Sequence, residues 1–87
     1  MNNPKRAQTL ADLAVGIAET TEDAFLKTEA WNELGRRRFD NNQQQAALEA
    51  WKRATEYART TGDLRSRAGL EINIAANLMG DHEYHEA

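Results

Sequence analysis

An all-α fold of four to five helices, arranged as antiparallel hairpins, is what this 87-residue sequence predicts. Apolar residues recur at three- and four-residue spacing along most of the chain. Capping residues and Asn- or Gly-containing turns punctuate those stretches, and the single proline stands at position 4, where a helix tolerates it. No segment shows the strict alternation of a half-buried strand. One domain, 1–87, accounts for the whole length.

Asn3 and Pro4 open the first helix, because the Asn side chain caps free amides and proline lacks only an amide that has no helical partner there. Leu10, Leu13, Ala14 and Ile17 fall at i, i+3, i+4 and i+7, which predicts a single buried stripe. Thr20-Thr21-Glu22-Asp23 breaks that helix and supplies a hydroxyl-x-x-acid cap for the second, expected from about Glu22 to Phe39. Asp40-Asn41-Asn42 is a turn signal. Asn42 and Gln45 resemble a capping pair, so the third helix is expected from near Gln43, with Ala47, Trp51, Ala54 and Ala58 inward. Gly62 suits a left-handed helix terminus and Asp63 a cap, and the same pair returns as Gly80-Asp81. A fourth helix between them is expected to turn Ile72, Ala76 and Met79 inward, and a fifth can only begin after Asp81.

Composition narrows the classes of function. Fourteen Leu, Ile, Val and Phe residues make a thin core, and a domain this size buries about 60 to 65% of the surface its unfolded chain exposes. The absence of cysteine removes disulfides, thiolate nucleophiles and most structural zinc sites. No apolar run reaches the roughly 20 residues needed to cross a bilayer, and no hydrophobic stretch follows the basic start, which points to the cytoplasm. A net charge of −3 argues against bulk attraction to nucleic acid.

Trp31, Leu34 and Gly35 on one helix, then Ala47, Trp51 and Ala54 on the next, resemble the tetratricopeptide repeat, a helix-turn-helix unit of about 34 residues. The resemblance covers about 28–81 and implies a right-handed stack of about one and a half repeats, with the first helix closing a preceding hairpin. In physical terms Gly35 and Ala47 let helices approach, while Trp31 and Trp51 fill the space between layers. Arg38 departs from the family's aromatic residue. The second copy is weaker: Ile72 follows Leu34 by more than one repeat length, Asn73 replaces a small residue, and Gly69 stands where a large aromatic is expected. No proline follows the second helix of the repeat.

Such repeats bind a peptide or a partner helix on a concave face formed by the first helix of each hairpin. By that resemblance the partner-binding residues are Asn32, Glu33, Arg36 and Phe39, followed by Leu70, Glu71, Ile74 and Asn77. Leu70, Ile74 and Leu78 also form a stripe that could pair two copies, so a homodimer is expected. The alternative for Leu70 and Ile74 is packing against the first helix.

Other constellations carry less. Arg36, Arg37, Arg38, Lys52, Arg53, Arg59, Arg65 and Arg67 would serve a small nucleic-acid-associated regulator, the alternative function. Consecutive arginines point about 100° apart, however, and Glu29, Glu33, Glu49 and Glu56 stand within ion-pairing distance along the helices. His82 and His85 could chelate a metal on a helix, but their spacing is not that of the zinc proteases, and a frayed terminus is the simpler reading. Neither a phosphate-binding loop nor a catalytic triad or carboxylate dyad can be assembled, so neither enzyme activity nor a cofactor is expected.

Overall fold

The computed structural model describes residues 3–61 and 69–75. It is all-α: α1 spans Pro4–Glu19, α2 Ala24–Asp40 and α3 Gln44–Thr61. A helical stretch over 69–75, α4, follows, and no strand occurs among the described residues. No described helix is long and apolar enough to cross a membrane.

The helix ends follow local chemistry. The Asn3 side chain accepts a hydrogen bond from the Arg6 amide at 3.1 Å, with Pro4 at the first helical position. Thr20 and Thr21 close α1 instead of opening α2: their hydroxyls donate to the carbonyls of Ile17 and Ala18 at 2.6 and 2.7 Å. Asp23 is the cap of α2, accepting from the Leu26 amide at 3.1 Å, so α2 begins at Ala24 and not at Glu22. Arg37 and Arg38 stand in the last turn of α2, where cations complement the helix dipole. Asn42 has φ of 62°, the left-handed conformation that Asn tolerates better than most residues, and the chain reverses there into α3.

α2 packs on both α1 and α3. Where α2 meets α3, Gly35 faces the Trp51 indole: a Cβ at this position would lie 2.5 Å from Trp51 Cδ1 and 2.8 Å from Cε2. Only glycine fits. The indole Nε1–H donates to the Asn32 carbonyl at 3.2 Å, which anchors the ring to α2. Ala47, Ala54 and Ala58 surround Trp51, all fully buried, as the spacing predicts.

Two faces differ from expectation. On α1 the buried residues are Ala11, Val15 and Ala18, whereas Leu10, Leu13 and Ile17 are 58%, 60% and 67% exposed. Small side chains let α1 lie close to Ala30 and Leu34 of α2, in a cluster that Ala50 of α3 completes, where three leucine-sized groups would hold it away. On α4, Ile72 is 68% exposed, and Leu70 packs inward on Ala47, Trp51, Ala54 and Ala58 with Ile74 beside it. Ala76, Met79 and the Gly62, Asp63, Gly80 and Asp81 turns lie outside the described residues.

Candidate partner-binding surface

Among the residues expected to face a partner, Asn32, Arg36 and Phe39 do share one side of α2, at i, i+4 and i+7. Each has a different environment. Arg36 is the open one, its side chain 63% exposed and its only ion pair among the described residues a 3.9 Å contact with Glu33. Phe39 is half-buried, with its ring centroid 6.1 Å from that of Trp51, so it walls the core and offers only an edge. Asn32 Oδ1 accepts from Asn73 Nδ2 of α4 at 3.1 Å, a bond between residues 41 apart in sequence.

That Asn32–Asn73 bond brings α4 alongside α2. A carboxamide carries one acceptor oxygen and two N–H donors, so the pair has hydrogen-bonding capacity beyond this one bond, and Arg36 stands one helical turn along α2 from it. Asn73 departs from the small residue of the repeat pattern, yet its amide bonds α4 to α2, and no local signal distinguishes it from a surface asparagine.

The remaining expected residues lie elsewhere. Glu33 turns toward α1, where it lines an open groove with Ala7, Leu10, Ala14 and Arg37. Its Oε2 accepts from Arg37 Nη2 at 2.6 Å and from Nε at 2.7 Å. Leu70 is 1% exposed, so it belongs to the core and not to a groove or to a dimer stripe. The reason is geometric: the α3 face of Ala47, Ala54 and Ala58 leaves room for one large side chain, and Leu70 fills it. Ile74 is half-buried in the same cluster, and Glu71 is exposed. Asn77 and Leu78 lie outside the described residues, as do Arg65, Arg67, His82 and His85.

Most of the described arginines near α2 already have partners. Arg37 is held by Glu33 and approaches Asp40 at 3.7 Å. Arg38, where the repeat family places an aromatic, donates from Nη1 to the Ala46 carbonyl at 3.0 Å and sits 4.0 Å from Asp12. It ties α1, α2 and α3 together with a polar group. Arg53 stacks over the Trp31 ring, 5.5 Å from its centroid.

A polar cluster with no local signal in the sequence joins α1, α2 and α3. Glu19 accepts from Trp31 Nε1–H at 2.7 Å and from the Tyr57 hydroxyl at 3.0 and 3.1 Å, so one carboxylate at the end of α1 joins α2 and α3. The Trp31 bond, more than the smaller contributions of Tyr57, Lys27 and Arg53, holds the Glu19 carboxyl below the usual carboxylate value against its partial desolvation. Desolvation first, and the bond to Glu19 second, push the Tyr57 hydroxyl up. Lys27 Nζ lies 5.2 Å over the Tyr57 ring. Among the described residues no group of three His, Asp or Glu side chains is placed to hold a metal ion, and every buried side-chain nitrogen or oxygen has a partner. The chain matches no family model, and its comparison with curated proteins and with solved structures gives no match.

Proposed function

We propose that the chain is a protein–protein interaction scaffold, built like a tetratricopeptide repeat, that takes an extended peptide or a partner helix across the α2–α4 face. The observation that carries this reading is the Asn32–Asn73 hydrogen bond with the exposed Arg36 one helical turn along. Paired carboxamides match the alternating donors and acceptors of a peptide backbone, and the guanidinium adds a charged anchor for a carboxylate. The supporting features are the Gly35–Trp51 packing and the alanine face of α3, which give the face a rigid floor. Nucleic-acid association through the arginines has less support, since Arg37, Arg38 and Arg53 are engaged within the chain.

A displayed peptide library, selected on the intact chain after nuclease treatment, tests the proposal. Selected peptides should bind with an affinity that changes little between low and moderate salt, and binding should be lost in the Arg36→Glu, Asn32→Ala double variant. Failure to select any peptide, together with steeply salt-dependent binding of an oligonucleotide, would favour the nucleic-acid reading.

A further inference from the structure

α1 has two apolar edges, and the molecule uses one of them. The inner edge, Ala11, Val15 and Ala18, packs on α2. The outer edge carries Leu10, Leu13 and Ile17, three of the six large apolar side chains exposed among the described residues. With Ala14 between them they make a ridge about 10 Å long. Charge is distributed unevenly about this ridge. Lys5 and Arg6 stand exposed at its N-terminal end, and Glu22 and Asp23 stand exposed just past its C-terminal end.

We propose that this edge is a homodimer interface in which α1 lies antiparallel to α1 of a second copy, about a twofold axis near Leu13 and Ala14. A twofold makes the same patch serve both sides, so the patch must complement itself. This one does. Antiparallel pairing sets Leu10 beside the partner's Ile17 and, at the axis, Ala14 beside the partner's Ala14, where the small side chains let the two helices approach. It also brings Lys5 and Arg6 toward the partner's Glu22, whereas parallel pairing would place cations on cations and carboxylates on carboxylates. The interface is on a different helix from the proposed peptide-binding face, so either can fail without the other. The expected dimer stripe on the fourth helix gives way to it because Leu70 is committed to the core.

Sedimentation equilibrium of the full chain over a hundredfold concentration range should show a monomer–dimer equilibrium. Leu13→Glu should raise the dimer dissociation constant by roughly a hundredfold or more, because the side chain is lost from both copies. Its helical circular dichroism should stay that of the wild type, since Leu13 is already 60% exposed. Ile72→Glu, at an equally open position on α4, should leave the dimer unchanged. Because the chain has no cysteine, single introduced thiols report the orientation. Ala14→Cys should form an intermolecular disulfide under mild oxidation, and Arg6→Cys should cross-link to Glu22→Cys but not to itself. A monomer at every concentration, a dimer that survives Leu13→Glu, or efficient self-cross-linking of Arg6→Cys would each overturn the proposal. So would a monomer that captures a foreign amphipathic helix on α1.

Discussion

Gly35 and Trp51 are in such close contact that the indole occupies the space a β-carbon would need. Glycine is a poor helix former, costing about 1 kcal/mol against alanine in a helix interior, and its place in the middle of α2 is explained by this ring. Gly35→Ala should therefore destabilise the fold by about 1 to 3 kcal/mol although it improves helix propensity. Gly16→Ala, at an exposed α1 position where a β-carbon meets nothing within 4 Å, should stabilise by about 0.5 to 1 kcal/mol. Thermal melts of the two variants, read side by side, check both signs.

Removing the ring has a larger effect. Trp51→Ala should cost about 3 to 5 kcal/mol, because α2, α3 and α4 all pack on the indole and cannot collapse fully into the space it leaves. That is comparable with the whole stability of many small domains, so the variant should be largely unfolded at room temperature by circular dichroism. A cooperative melt near that of the wild type would show that Trp51 is not central to the hairpin.

How much of this was legible in the sequence depended on whether the deciding force was local. Asn3 with Pro4 and the turn at Asn41 and Asn42 are each set by one or two residues and are found where the sequence places them. Asn42 nonetheless reverses the chain at a positive φ where the sequence predicts a cap paired with Gln45, and Gly35 makes room for the Trp51 ring where the expectation sets it with Ala47. The buried face of α1 was not legible. Two stripes of helical spacing run along α1, one of leucines and isoleucine and one of alanines and valine, and a rule that buries the larger groups chooses the first. Close approach to α2 chooses the second, and that is a property of the neighbour. The same competition decided Leu70 over Ile72. Of the candidate surface, Arg36 was legible as an exposed charge, while the role of Asn73 depends on a helix 41 residues away.

The Glu19 cluster should give stability a definite pH dependence. A carboxyl whose folded-state value lies below its ordinary 4.5 stabilises fully above that value, and the contribution is lost as the pH falls through the folded value. Tyr57 works in the opposite direction. Its hydroxyl is raised above 10.0, so its contribution is present below that pH and lost as the pH rises through the folded value. Melting temperature against pH should fall at both extremes, and Glu19→Gln should flatten the acid limb. The effect should be small because the carboxylate is largely exposed and screened. An unaltered acid limb in Glu19→Gln would place the acid sensitivity elsewhere.

Binding should separate from folding at Arg36. Replacing this exposed residue with Glu, together with Asn32→Ala, reverses a charge and removes an amide on the α2–α4 face without touching the alanine core. Melting should shift by no more than a few degrees while capture of a selected peptide weakens at least tenfold. Titration calorimetry on the folded double variant provides the measurement, and unchanged affinity would move the site off this face.

The helix contacts are lined with Ala11, Ala18, Ala30, Ala47, Ala50, Ala54 and Ala58, all buried. Contacts made through methyl groups bring backbones close and gain dispersion energy, yet they withdraw little hydrocarbon from water for each residue they order. The heat capacity of unfolding follows the apolar area newly hydrated, so for this chain it should lie at the low end for its length. A small heat-capacity change makes free energy a flatter function of temperature. The protein should lose stability gradually on warming and cooling alike, with a broad calorimetric peak, and it should hold much the same modest margin across the range in which a leucine-rich bundle would show a pronounced optimum.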